Sequence, residues 1–273
     1  MQDSTTSIIE KISMSSGSSE IPPLEGGGVN LLLHLADNAL ILAQRNSEWC
    51  GHGPVLEQDI AITNISLDML GQARNFYQYA AQLKGDDATE DSLAYLRSER
   101  EFKNCLLVEQ PNEDWGQTIL RQFLFSNYQY LLYEQLQHNN DEQLAAIATK
   151  ALKEVTYHVR WSNEWVIRLG DGTEESHERM LKAIDELWPF TGELFVPAVY
   201  ETATVIGFDL SSLQQTWLQK VMVVLKEATL WWPTFGEQVF MQTGGKQGVH
   251  SEHLGYILAE LQYLQRAYPG AAW

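Results

Sequence analysis

An all-α fold is predicted by three features of this 273-residue sequence. Long segments carry apolar residues at helical spacing, capping and stop residues flank them, and strand-like alternation is nearly absent. The first segment, Asn30 to Trp49, is apolar on nearly every side, as a helix in the middle of a bundle must be. Asp37 is its polar exception at mid-depth. Cys50-Gly51-His52-Gly53 ends it, and Pro54 is expected at the first position of a second helix, with Glu57 and Asp59 near its N-terminal dipole. That helix reaches about Lys84, where Gly85 stops it, a length of about 45 Å at 1.5 Å per residue.

Thr89 is expected to cap a shorter helix running to about Phe102, with Glu90 and Asp91 in its first turn. Pro111-Asn112 then breaks the chain. Asp114 to about His138 and Asp141 to about Leu169 form a second long pair, with Asn139-Asn140 turning between them. Gly170-Asp171-Gly172 ends the pair, and a helix from Glu174 to Leu187 leads to the breaker Pro189. From Phe190 to Gly207, Pro197 and the β-branched stretch TATVIG leave no clear pattern. Two more helices are expected, Ser211 to Trp231 before Pro233 and His250 to Arg266 before Pro269-Gly270. Two long-helix hairpins imply a ferritin-like four-helix bundle with additional helices packed around it. The expectation is a single such domain over residues 29–273, preceded by a Ser/Gly-rich disordered tail over residues 1–28.

Composition narrows the function. Lys+Arg number 18 against 36 Asp+Glu, a net charge of −18, and no basic run exists, which opposes binding to nucleic acid or to an anionic membrane. The acidity is either a solvated surface or a complement to a basic partner. The tail has neither the basic start nor the apolar run of a secretory signal, and no apolar stretch is long enough to span a bilayer. Cys50 and Cys105 form neither a C-x-x-C motif nor a disulfide framework, which fits a reducing cytoplasm.

In a ferritin-like di-iron protein, each hairpin supplies a carboxylate from its first helix and Glu-x-x-His from its second. Residues i and i+3 share a face, so both can reach one metal pair. Counting outward from a turn near residue 51 or 52 puts Asp37 and Asp68 at similar depth. From the turn at Asn139-Asn140, Ser126 and Glu154 likewise share a level. The four carboxylate positions thus read Asp37, Asp68, Ser126 and Glu154. The histidine positions read Gly71 and Tyr157, with His158 one residue late. At i+4, His158 lies within about 40° of Glu154 around the helix, so the two could hold one metal, with Asp37 or Asp68 as a third ligand. Otherwise these are ordinary polar residues, with Glu154 and His158 sharing a helix-face hydrogen bond, or remnants of a metal site now filled by internal salt bridges and hydrogen bonds, for which Arg74, Lys150, Lys153 and Arg160 are the nearby cations.

Other constellations are weaker. His250-Ser251-Glu252-His253 reads as a surface capping cluster at a helix start. Gly244 to Gly248 matches a phosphate loop only in composition, because the spaced Walker motif and its preceding strand are missing. No G-x-S-x-G elbow is present. Trp161, Trp165, Trp231 and Trp232 read as core or interface anchors.

The run EWCGHGPVLEQDIAITNISLDMLGQARNFYQYAAQL, Glu48 to Leu83, closely resembles the PaaC family, the structural subunit of ring-1,2-phenylacetyl-CoA epoxidase. LLVEQPN (Leu106 to Asn112), KEVTYHVRWS (Lys153 to Ser162) and TGGKQGVHSEHLGYILAELQYLQR (Thr243 to Arg266) extend the resemblance over about Leu31 to Trp273. The resemblance implies a subunit with no cofactor of its own, paired with a PaaA-like catalytic subunit. The partner would carry the di-iron centre, oxygen activation and the substrate site. A reductase subunit with flavin and iron-sulfur would deliver electrons from NADPH, and the complex would epoxidise the ring of phenylacetyl-CoA in aerobic phenylacetate degradation. Further epoxidase subunits and self-association are expected. Two other readings compete: an enzyme with a mononuclear metal at Glu154 and His158, and an acyl-CoA-binding module using the Gly244 to Gly248 loop, whose only cation is Lys246.

Overall fold

A computed structural model describes residues 27–230 and 240–271, and among these every regular element is helical. The first hairpin pairs α1 (Gly27–Ser47) with α2 (Leu56–Lys84), followed by α3 (Glu90–Tyr95) and α4 (Leu106–Glu109). The second pairs α5 (Trp115–Leu136) with α6 (Glu142–Gly170). Then come α7 (Glu174–Leu187), α8 (Ala203–Ile206), α9 (Leu213–Glu227), α10 (Glu252–Leu261) and α11 (Tyr263–Ala267). The expected tail differs at its edge, since Gly27 and Gly28 already belong to α1, and the rest of it lies outside the described residues, as do Trp231 and Trp232.

Side-chain caps set the starts of α3, α5, α6 and α7. Asp114 accepts from the Gln117 amide, Asp141 from Leu144 and Thr173 from Ser176, each satisfying an orphan donor of the first turn. Thr89 does the same for Ser92, but α3 ends at Tyr95 rather than Phe102, and a 3-10 turn at Glu99–Glu101 follows. Pro54 also falls before the helix rather than inside it, because Val55 is the cap of α2. The TATVIG stretch holds one short helix, α8, closed by Gly207 at φ +88°.

Burial explains the layering. Every residue from Leu31 to Ala43 is buried, so α1 runs inside the protein as its all-round apolar sequence requires. Helix α5 is equally enclosed, because α7 and α9 cover its outer side and the Trp217 indole N–H donates to the Leu124 carbonyl at 3.0 Å. The bundle core is aliphatic and aromatic, with Met69, Phe76, Phe123, Tyr128 and Tyr133 all buried.

The Gly244 to Gly248 loop is a clasp. A Cβ on Gly245 would stand 2.3 Å from the Asn104 carbonyl oxygen, and one on Gly248, at φ +80°, 2.2 Å from that of Arg100. Only glycine lets this loop lie against the chain that leads into α4. Gly245→Ala is therefore expected to lower stability by about 2–4 kcal/mol in urea denaturation. Gly71→Ala, where a Cβ meets nothing within 4 Å, is expected to raise it by about 1 kcal/mol at low protein concentration.

Candidate functional site

At mid-bundle the helices meet through side-chain amides. From α1, Asn46 Nδ2 donates to Gln122 Oε1 on α5 at 2.6 Å, and Gln122 Nε2 donates to Ser126 Oγ at 2.7 Å. From α2, Gln72 Nε2 donates to Glu154 Oε2 on α6 at 2.9 Å, while Gln72 Oε1 accepts from Gln129 Nε2 of α5 at 3.1 Å. Gln129 also donates to Tyr133 Oη at 3.0 Å. One turn away, His158 Nε2 donates to Asp68 Oδ2 at 3.1 Å, and His158 Nδ1 has no hydrogen-bond partner. The His158 side chain is fully buried, whereas that of Asp68 is 39% exposed.

The structure thus brings Asp68, Ser126, Glu154 and His158 to one region of the bundle, and it removes Asp37 from it. Asp37 lies level with Tyr77, nine residues beyond Asp68, or about 13 Å along the helix. It is Asn46 that lies level with Met69. The depth count fails because residues 48–55 are not a symmetrical turn: they continue past the end of α1, so α2 begins several turns beyond it. Gly71 is exposed and supplies no donor, and Tyr157 is partly exposed on the outer side of α6. The residues missed from sequence are Asn46, Gln72, Gln122 and Gln129. Their signal was present, as amides repeated inside otherwise apolar helix faces.

Such a donor set does not fit a pair of irons. Four carboxylates and two histidines are required, but the centre offers four amides, a hydroxyl, Asp68, Glu154 and His158. An amide N–H turned toward the axis presents a proton where a metal needs a lone pair. Among the described residues, no group of three or more His, Cys, Asp or Glu side chains is arranged to hold a metal ion.

Asp37 has a different role. Its carboxylate accepts from Tyr77 Oη at 2.5 Å, from the Lys103 amide at 2.8 Å and from both terminal nitrogens of Arg97, one at 3.1 Å. Arg97 lies between α3 and the 3-10 turn, with its guanidinium 4.2 Å above the Phe102 ring. The cation pairing with Asp37 is therefore none of Arg74, Lys150, Lys153 or Arg160, and Arg74 instead meets Glu90 at the surface. Burial and the Asp37 charge hold the Tyr77 phenol well above its usual range.

Two further buried networks tie down the C-terminal segment. Lys246 is buried, its Nζ 2.9 Å from Glu201 Oε2 and bonded to the carbonyls of Leu194 and Val196. This occupied ammonium removes the cation on which acyl-CoA binding by the glycine loop depended. Glu193 gathers the amides of Leu106 and Gly244, both at 2.8 Å. Nearby, burial lowers the pKa of His34 and keeps it neutral, its Nδ1 donating to the Lys103 carbonyl and its Nε2 accepting from Asn38.

His250 has a buried side chain and is not part of a surface cap. Its Nδ1 meets Glu109 Oε2 at 2.8 Å and its Nε2 meets the Phe102 carbonyl at 3.0 Å, so both nitrogens are donors and the ring is an imidazolium. Burial opposes that charge, but the Glu109 hydrogen bond and carboxylate outweigh it and raise the pKa.

A family model described as phenylacetic acid catabolic protein, PaaA_PaaC, matches residues 24–273. The C subunit of the 1,2-phenylacetyl-CoA epoxidase from Escherichia coli (strain K12) is 50% identical over 244 residues, which cover 88% of this chain and 97% of that protein.

Two outcomes are expected from these networks. Arg97→Met leaves the Asp37 carboxylate buried and uncompensated and should cost about 3–5 kcal/mol in urea denaturation. Adding Asp37→Asn to that variant should restore a large part of the loss. For His250, the raised folded pKa means that its contribution is complete below the unfolded value, about 6.5, and is lost as pH rises through the folded pKa. The gap in melting temperature between wild type and His250→Asn should therefore be widest near pH 6 and narrow progressively at alkaline pH.

Proposed function

The chain belongs to the phenylacetic acid catabolic protein family, and from that membership we propose that it is the non-catalytic structural subunit of a multicomponent oxygenase. That oxygenase epoxidises the aromatic ring of phenylacetyl-CoA, and this chain scaffolds the di-iron catalytic subunit. The observation that carries the reading is the amide network at mid-bundle. Where a catalytic bundle directs carboxylates at its metals, Asn46, Gln72, Gln122 and Gln129 are hydrogen-bonded within this chain.

What remains of a ligand set is engaged. Glu154 accepts from Gln72, and His158 donates to Asp68. Ser126 stands at the centre in place of a carboxylate, whereas Gly71 and Tyr157 face outward and could carry no ligand to it, so we read Asp68, Glu154 and His158 as remnants. Asp37, counted among them from sequence, serves the buried ion pair instead. The chain holds no cofactor; the di-iron pair belongs to a PaaA-like partner, and NADPH, flavin and iron-sulfur belong to a reductase. Its own contribution is a rigid helical body against which the catalytic subunit is held. No helix of the described residues is long and apolar enough to cross a membrane.

The test uses the whole complex. Chain purified without tags should contain far less than one iron per molecule by elemental analysis, and His158→Ala should leave the assembled complex with wild-type turnover within about twofold. Loss of metal and of activity together in that variant would establish the mononuclear enzyme instead. A catalytic subunit that is stable and fully active alone would defeat the scaffold role.

A further inference from the structure

Four of the nine tryptophans form one continuous row. Trp165 and Trp161 stand one turn apart on α6, Trp115 opens α5, and Trp49 follows the end of α1. From Trp165 to Trp161, from there to Trp115, and on to Trp49, successive ring centroids are 6.3, 6.3 and 5.0 Å apart. Trp161 is buried and the other three are half-buried. Aromatic packing alone explains such spacings. Two further features it does not explain. The Trp115 indole N–H is buried with no hydrogen-bond partner among the described residues, whereas a buried indole ordinarily finds an acceptor. The row also ends beside an exposed thiol, Cys50, while the other cysteine, Cys105, is buried.

We propose that this row conducts oxidising equivalents from Trp165 to Cys50, so that a radical formed by a failed oxygenase cycle is discharged at a thiol that exchange chemistry can restore. The source of the radical rests on the oxygenase reading above; the conduction does not. A peroxyl radical takes one electron from Trp165 and, with a proton from water, becomes a hydroperoxide. The indole radical cation left behind draws an electron from the next ring, and the vacancy passes through Trp161 and Trp115 to Trp49. Its mobility depends on the N–H proton staying in place, because an indole that loses this proton can be refilled only by an electron and a proton together. Trp115 has no acceptor for the proton, and Trp49 donates to the neutral Thr118 hydroxyl at 2.9 Å, so neither ring has a base beside it.

Charge biases the direction. The Arg168 guanidinium lies 5.0 Å from the Trp165 ring centroid, where it is attracted by the neutral ring and repelled by an oxidised one, so positive charge is disfavoured at that end of the row. At the other end Cys50 gives its electron to Trp49 and its proton to water. The thiyl radical joins the thiolate of a dissolved thiol such as glutathione, and the resulting disulfide radical anion passes its extra electron to dioxygen, which leaves as superoxide. What remains on Cys50 is a mixed disulfide, which thiol exchange reverses.

The test injects the vacancy by light. In the full chain carrying Glu164→p-azidophenylalanine, an exposed position beside Trp165, a ruthenium polypyridyl photo-oxidant is attached to the azide and flashed with an electron-accepting quencher. A nitrone spin trap marks the radicals, and peptide mass spectrometry locates them. The trap adduct should appear at Cys50 and not at Cys105. Trp115→Phe and Trp161→Phe, two separate breaks in the row, should each lose the Cys50 adduct while trapping at Trp165 persists, with circular dichroism and melting unchanged in at least one of them. Equal Cys50 adducts in the unbroken chain and in a folded variant would overturn the proposal, as would trapping at Trp165 of the unbroken chain with none at Cys50. The discharge role is read in the whole epoxidase complex turning over with glutathione present. Cys50 should accumulate the mixed disulfide there, and Trp115→Phe should suppress it; conduction by light without that accumulation would overturn the role.

Discussion

A carboxylate taken out of water must find compensating charge and hydrogen bonds, and in this protein that requirement joins the bundle to everything outside it. Asp37 on α1 is answered by Arg97 and by the Lys103 amide, from the connection between α3 and α4. Glu109 of α4 is answered by His250 and Ser251, and Glu201 by Lys246, all from the segment before α10. Hydrophobic contact would bring these segments close without fixing their position. The buried acids fix it, because a register error of one residue would strand a charge at a cost of several kcal/mol.

The same rule explains which parts of the fold were legible in sequence. Boundaries set by local chemistry were: Asp114, Asp141 and Thr173 cap their helices, and Glu174–Leu187 has the expected limits. Relations set by distant chemistry were not. Arg97 stands sixty residues from Asp37 and outside the long helices, so no periodicity marks it as a partner, whereas Arg74 and Arg160 share those helices and meet no buried acid. The depth of Asp37 was misjudged for a similar reason. Counting from a turn assumes that the chain reverses at once, and residues 48–55 do not. Gly245 and Gly248 lie against the carbonyls of Asn104 and Arg100, more than a hundred residues away in sequence, a contact that no local pattern marks.

The candidate site was legible in kind and misread in membership. Asp68, Glu154 and His158 do come together, and of the salt bridges and hydrogen bonds expected around them, the hydrogen bonds run largely through amides. The difference has physical content. An amide differs from a carboxylate by one NH2 in place of an oxygen, so Asn and Gln occupy nearly the same space while removing the charge and adding donors. Four negative charges around a bundle axis repel one another and are tolerable only around cations. Four amides can bond to each other across the axis, as the pairs Asn46–Gln122 and Gln72–Gln129 do.

This exchange changes what folding depends on. A bundle with a carboxylate centre gains part of its stability from bound metal, so metal occupancy and folding are linked. With amides, the contacts between helices at this centre are hydrogen bonds made within the chain. Residual ionisable groups fit that logic. Asp68 stays partly in water, which spares it full desolvation, and it supplies the single hydrogen bond that orients the buried His158.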